Sequence, residues 1–234
     1  MTTSLQTLEA WVLHKQWSGD ASARVAFFTR EVGLIHCFCK GGRTPKKQAF
    51  LQAFTPLWIS IIERYNRYYA QTVEGSSPTL PLTGNSLFAS LYINEILYYV
   101  LSPNYPDPAL YDAYLYTLNG LALTTERLVI EALLRRFEWT LLQASGYSFS
   151  LIQDARSGNL IVADSYYRFI AGEGFIIDST GIPGTHILAL SQDNLNDVAH
   201  LKSAKRIMRQ AIDHLVGGRV IKTRALYTQD IPKC

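Results

Sequence analysis

The chain has 234 residues, of which 48% are hydrophobic and 18% are charged, and its net charge is +3. This composition excludes an intrinsically disordered chain and is typical of a globular protein with a large core. No apolar run reaches the roughly 18 residues of a membrane span, and the first residues lack the blocks of a signal peptide. The three cysteines have no framework spacing, so we expect a reducing compartment, the cytoplasm.

Charge is distributed unevenly along the chain. Residues 1–80 carry nine Lys and Arg against five Asp and Glu, residues 81–194 carry five against eleven, and residues 195–234 carry eight against three. Two basic ends around an acidic middle suggest a polyanion contacted by distant parts of the sequence. The alternative is ordinary solvated surface.

The first 80 residues have the pattern of β-structure. Five short runs, the first three rich in Val, Phe and Ile, are Glu9–Lys15, Arg24–Arg30, Gly33–Lys40, Phe54–Ile62 and Asn66–Thr72. Pro56 places the start of the fourth run at an edge or a bulge. Five such runs predict a small closed barrel or a Greek-key sheet.

A basic loop, KGGRTPKK, lies between the third and fourth runs. Its cations are Lys40, Arg43, Lys46 and Lys47. It has no apolar anchor, so it is expected to be exposed, and its glycines would let the backbone approach phosphate oxygens. The two interpretations are a phosphate contact and an ordinary basic turn.

Helical patterns follow a candidate linker at Gly75–Pro78. Asn85–Leu101 contains one charged residue and is expected to be buried on most sides. Another helix starts at Asp107-Pro108, with Asp at the N-cap and Pro at the first helical position. The clearest helix is Thr125–Gly146, with Thr124 or Thr125 as its N-cap.

The helix Thr125–Gly146 has two distinct sides. Its broad apolar side predicts the core contact and comprises Val129, Ile130, Leu133, Leu134, Phe137, Leu141 and Ala144. The opposite side carries Leu128, Arg135, Trp139 and Leu142. This strip is either a second packing surface in a helical bundle or a docking pocket for an apolar, anionic group.

The stretch Tyr147–Ile182 interrupts the helices and predicts a β-hairpin with glycines at its turn. It contains neither Cys nor His, so no metal site is expected there. The final helix, Asn194–Val216, has an apolar stripe made of Leu195, Val198, Leu201, Ala204, Met208, Ala211, Ile212 and Leu215. Its other side gathers Lys202, Lys205, Arg206 and Arg209. This cluster favours nucleic acid over a merely solvated face.

Catalytic patterns are missing from the sequence. The five histidines are scattered, and neither an HExxH nor a GxSxG motif occurs. The residues alone therefore predict a two-part binding protein, without a cofactor or a resident metal, rather than an enzyme.

Several segments, in order and over nearly the whole chain, resemble the family of bacterial recombination mediators RecO. They are WVLHKQWSGDASARVAFFTREVG, KGGRTPKK with FTPL after it, LYINEIL, LLRRFEWTLL with SGY, and AKRIMRQAIDHLVGGRVIKTRALY. The resemblance implies an α+β chain: a five-stranded OB-fold barrel in residues 1–80, then an α-helical bundle domain in residues 81–234. A small β-hairpin insert at about 147–182 would be the counterpart of the zinc region that many members build with four Cys. This chain lacks those Cys, so zinc is not expected.

The resemblance also implies a function. Members bind single- and double-stranded DNA, anneal complementary strands and engage two partners, RecR and the acidic, Phe-ending tail of single-stranded DNA-binding protein (SSB). The DNA contacts implied are those of the basic loop, Lys40, Arg43, Lys46 and Lys47. Arg135 matches the position that meets the SSB tail, and Leu128, Trp139 and Leu142 would help to form that pocket. The alternatives are an RNA-binding OB-fold protein in translation or RNA processing, and an enzyme with its site in the insert.

Overall fold

A closed five-stranded barrel forms the N-terminal region of the computed structural model, which describes residues 5–19 and 21–228. Its strands are β1 (Leu5–Ser18), β2 (Ser22–Thr29), β3 (Gly33–Cys39), β4 (Leu57–Arg64) and β5 (Arg67–Gly75). Their order around the barrel is β1-β2-β3-β5-β4, with β3 and β5 parallel and β1 closing antiparallel onto β4. A short helix, α1 (Pro45–Phe50), joins β3 to β4. The predicted OB-fold barrel is confirmed, whereas α1 was not predicted.

Strict alternation of side chains explains the barrel. Val25 and Phe27 of β2 and Ile35 and Cys37 of β3 all point inward and are fully buried, as expected where residues two apart share a face. Cys39 also points inward, and burial raises the pKa of its thiol to about 11. Both thiols are therefore packing groups rather than reactive ones.

Helices make up most of the remaining chain. They are α2 (Gly84–Val100), α3 (Pro108–Ala122), α4 (Arg127–Ala144), α5 (Gly184–Ser191) and α6 (Val198–Leu215), followed by a 3₁₀ segment, Lys222–Thr228. Helix α3 begins as predicted, because the Asp107 carboxylate accepts a hydrogen bond from the backbone N–H of Leu110. Helix α4 begins two residues later than expected, with Glu126 at the N-cap position.

The insert is a small three-stranded sheet. Its strands β6 (Tyr166–Ile170), β7 (Gly174–Asp178) and β8 (Ile182–Pro183) lie in the order β7-β6-β8, so the predicted hairpin is confirmed and gains a third strand. Asp154 ties the preceding loop to this sheet by accepting backbone N–H bonds from Ser157 and Ile177, both at 2.7 Å. These hydrogen bonds lower the pKa of Asp154 to about 2, and the bond from the Ser157 backbone has the largest effect.

The outer surface of the barrel and the helices share a hydrophobic core that is separate from the core inside the barrel. Trp11 and Phe28, on the outer surface of the barrel, pack against the ring of Tyr114 at centroid distances of 5.9 and 5.5 Å. Asn94 of α2 donates to the backbone oxygen of Val12 at 3.0 Å and accepts from the Tyr114 hydroxyl at 2.9 Å. These buried contacts fix the barrel against α2 and α3.

Candidate nucleic-acid interface

The basic loop, residues 40–47, follows β3 directly, its last three residues form the first turn of α1, and its glycines seat it on the barrel. Gly41 has φ +70°, a left-handed conformation that favours glycine. Gly42 lies against β2, where an added Cβ would come 2.8 Å from the Cβ of Ala23. The two glycines therefore have a structural role in addition to the phosphate approach expected from the sequence.

Three of the four loop cations, Lys40, Arg43 and Lys46, are exposed to solvent. The fourth, Lys47, is half-buried, and its Nζ donates a 2.8 Å hydrogen bond to the backbone oxygen of Lys40. Lys47 thus helps to close the loop as well as adding charge. The structure brings all four predicted cations together at one end of the barrel.

Trp17, which the sequence patterns did not single out, adds an aromatic surface beside this loop. Its side chain is 46% exposed. The guanidinium carbon of Arg43 lies 5.2 Å and the Nζ of Lys15 lies 5.1 Å from the ring centroid. An exposed aromatic ring next to cations suits base stacking. The available signal was a large aromatic residue two positions past the predicted end of the first β run.

Helix α6 carries the second basic cluster. Asp197 caps its start by accepting hydrogen bonds from the backbone N–H groups of Ala199 and His200. The buried face consists of Leu201, Ala204, Ile207, Met208, Ala211 and Ile212. Val198, predicted for this stripe, is 62% exposed because it is the first helical residue and the buried face starts one turn later.

The four cations of α6 are all exposed, as predicted, but they are not equivalent. Lys205 donates to the Glu131 carboxylate of α4 at 2.6 Å, so its charge is largely offset. Within the described residues, no carboxylate pairs with Lys202, Arg206 or Arg209. We call these three residues the α6 cluster, and they would attract a polyanion most strongly.

The strip on α4, interpreted from the sequence as either a second packing surface or a docking pocket, is partly covered by the helical bundle. Arg135 is 4% and Leu142 1% exposed, so both lie in the core. Leu128 is 44% exposed at the start of the helix, and Trp139 is half-buried with its ring 5.2 Å from that of Phe149. Two of the four strip residues are therefore covered and two are accessible, because α2, α3 and α6 pack on α4 from several sides.

The apolar side of α4 also needs two corrections. Val129 is 40% exposed and Ala144 is exposed, although both were predicted in the core. They lie in the first and last turns of α4, where neighbouring helices no longer cover it. The other five predicted core positions are buried.

Arg135 belongs to a buried polar cluster. Its guanidinium donates to the Glu138 carboxylate at 3.0 Å, and the same carboxylate oxygen accepts from the Tyr92 hydroxyl at 2.7 Å. Burial raises the pKa of Glu138, and Arg135 partly opposes that shift. The Nε of Arg135 and the second carboxylate oxygen of Glu138 have no hydrogen-bond partner among the described residues. The pair is thus electrostatically coupled but incompletely satisfied.

Two further observations bear on other kinds of site. In residues 5–19 and 21–228, no three His, Cys, Asp or Glu side chains come close enough together to hold a metal ion. None of the helices in that part of the chain is both long and apolar enough to cross a membrane.

The fold places the chain among OB-fold proteins that carry an attached helical region. Sequence comparisons agree: the family model for the N terminus of recombination protein O matches residues 1–75, and the model for its C terminus matches residues 82–225. The chain is similar to the DNA repair protein RecO of Legionella pneumophila strain Corby, with 66% identity over 95% of this chain and 97% of the relative. It is also similar to the DNA repair protein RecO of Pasteurella multocida strain Pm70, with 36% identity over 96% of this chain and 97% of the relative.

The chain therefore belongs to the RecO family, and its role is in DNA repair and recombination.

Proposed function

We propose that this chain is a DNA-binding recombination mediator. It would bind single- and double-stranded DNA, anneal complementary strands, and engage SSB and RecR so that a recombinase can be loaded. The observation that carries the proposal is the pair of exposed cation clusters, one in the basic loop and one on α6, in a member of a DNA-repair family.

Charge supplies the mechanism. Two phosphate backbones repel each other, and a protein with cations on two separate elements neutralises phosphate on both strands at once. No bond is made or broken in annealing, so the proposal needs neither a catalytic residue nor a cofactor. The protein would act on the DNA of the nucleoid, in the cytoplasm.

Recognition of the SSB tail at Arg135 is part of the proposal. A terminal Phe carboxylate suits an apolar slot with a guanidinium at its end. Since Arg135 is held by Glu138, tail binding would require the guanidinium to exchange partners, and its Nε is the donor left for a second carboxylate oxygen. Leu128 and Trp139, which are accessible, would provide the entrance.

Binding to single-stranded DNA is expected to weaken steeply as salt rises. Each phosphate contact releases a counterion, so log K should fall by about 0.7 per contact for each tenfold increase in salt. Titrations of a labelled single strand at several salt concentrations measure this slope. An affinity indifferent to salt would contradict the proposal, and tighter binding of RNA than of DNA of the same sequence would favour the RNA-processing alternative.

The double variant Lys40→Glu/Lys46→Glu is expected to bind single-stranded DNA about fifteenfold more weakly at 0.15 M salt, since two phosphate contacts are lost. Both side chains are exposed, so the free energy of unfolding should change by no more than about 0.5 kcal/mol. Lys47 is left intact because it closes the loop.

The matched control reverses two exposed arginines of the insert, Arg156→Glu/Arg168→Glu. Each lies near a carboxylate, Glu173 at 3.5 Å and Asp178 at 3.4 Å, so neither offers much net charge to DNA. Equal losses of affinity in the two double variants would mean that only net charge matters and that the basic loop is an ordinary turn.

A further inference from the structure

A cavity of about 390 Å³ opens where the barrel meets the α2–α3 connection, and we call it the junction pocket. It is lined by Arg24, His36, Phe38, Asn66, Arg67, Tyr68, Pro103 and Asn104. Its volume falls in the range of small-ligand sites.

The barrel side of the junction pocket is an aromatic platform. Phe38 of β3 lies directly across from Arg24 of β2 on one side and from Tyr69 of β5 on the other. The three side chains therefore share the outer surface of the barrel. The rings of Phe38 and Tyr69 stack with centroids 5.7 Å apart and planes 29° apart. The guanidinium carbon of Arg67 lies 5.9 Å from the Phe38 centroid. Phe38 therefore contacts both a neighbouring ring and a cation.

The chemistry of the lining favours an anionic, planar ligand. Arg24 and Arg67 are exposed cations at the rim, and no lining residue carries a carboxylate. Asn66 and Asn104 contribute exposed amides, which can both donate and accept hydrogen bonds. Burial and the nearby Arg24 lower the pKa of His36, so its ring is neutral at physiological pH and serves as a flat wall.

We propose that the junction pocket binds one unpaired nucleotide of single-stranded DNA. The base would stack at Phe38, the asparagine amides would meet its edge, and Arg24 and Arg67 would hold the flanking phosphates. This inference rests on the proposed DNA binding and adds a second requirement, namely that the base be unpaired, because a base in a duplex cannot expose its face to a ring.

The position of the junction pocket relative to the basic loop supports this occupant. Phe38 of β3 precedes Lys40, the residue directly after the strand ends, by two positions, a distance of about 7 Å at the rise of a strand. A single strand that contacts phosphate at the loop can therefore continue over Arg24 into the pocket. The loop would hold the backbone of either DNA form, while the pocket would accept only a free base.

The test compares Phe38→Leu and Arg67→Gln with the wild type on a short labelled oligothymidylate and on a blunt-ended duplex. Loss of one stacked base is expected to weaken single-strand binding about tenfold with Phe38→Leu, and Arg67→Gln should weaken it about fourfold through one lost phosphate contact. Duplex binding should stay nearly unchanged in both. Arg67 is exposed, so that variant keeps the test valid if Phe38→Leu proves unstable.

The matched control is Arg64→Gln. Arg64 is the cross-strand partner of Arg67 and is also exposed, but it does not line the junction pocket. The inference is overturned if the control weakens single-strand binding as much as Arg67→Gln, if duplex binding falls in parallel, or if neither pocket variant changes single-strand affinity. Failure of the proposed DNA binding itself would give a different result, because the wild-type chain would then bind neither the single strand nor the duplex.

A second readout locates the base directly. Oligothymidylate carrying 5-iododeoxyuridine is irradiated on the full-length protein, and the crosslinked peptide is mapped. Attachment at Phe38, Tyr68 or Tyr69 supports the inference. Attachment confined to Trp17 would assign stacking to the ring beside the basic loop and overturn the role of the pocket.

Discussion

Replacing Arg135 with alanine is expected to lower the free energy of unfolding by about 3–5 kcal/mol, because it leaves a buried carboxylate without its ion-pair partner. Glu138, 1% exposed, would keep only the hydrogen bond from Tyr92. In the wild type, the charge of Arg135 lowers the pKa of Glu138. Without Arg135, the Glu138 carboxyl would therefore take up a proton at a higher pH. Urea denaturation of the variant and the wild type measures the difference.

The partner variants separate stability from docking at this site. Arg135→Met/Glu138→Gln removes both charges and keeps an acceptor for the Tyr92 hydroxyl, so it should regain most of the lost stability. A double variant as unstable as Arg135→Ala would contradict the ion-pair explanation. Because the double variant is expected to fold without Arg135, it also tests the SSB tail: retained binding of a tail peptide would place that site elsewhere.

The triple variant Lys202→Gln/Arg206→Gln/Arg209→Gln is expected to bind single-stranded DNA about fiftyfold more weakly at 0.15 M salt. The variant loses three phosphate contacts, and each contact releases about 0.7 counterions on binding. The slope of log K against log salt should therefore become shallower by about 2.1. All three side chains are exposed, so stability should be preserved. Fluorescence anisotropy at several salt concentrations gives both quantities.

Lys205→Gln is the natural control for this triple variant. Lys205 lies on the same helix, next to Arg206 in sequence, yet its Nζ is bound to Glu131 at 2.6 Å. Its removal should therefore change DNA affinity less than removal of Arg206 alone. If the two single variants are equal, the ion pair opens in the complex and the α6 cluster includes Lys205.

The sequence was sufficient for features that depend on local pattern. Alternating apolar runs located all five strands of the barrel, and Asp107-Pro108 located the start of α3 to the residue. The exposed cations of the basic loop and of α6 also followed from local composition, because a cluster of charges without an apolar anchor stays in water. The specific function assigned to these cations remains a prediction.

Features created by the assembly of distant segments could not be predicted. Periodicity gives the two sides of α4 but not the number of neighbours it will have, and three helices pack on it. Periodicity therefore left both interpretations of the strip open, and it could not show that packing buries Arg135. The junction pocket was missed for the same reason, since its residues come from β2, β3, the start of β5 and the α2–α3 connection.

The core shared by the barrel and the helices has a consequence for the synthesis of the chain. Leu34 and Phe28 leave the ribosome well before Tyr114, which covers Phe28 in the finished protein. At about 5–20 residues per second, the roughly 80 residues that separate them take on the order of 4–16 s to be translated. During that interval the nascent barrel presents an uncovered apolar flank, the kind of surface that chaperones hold until the remaining chain arrives.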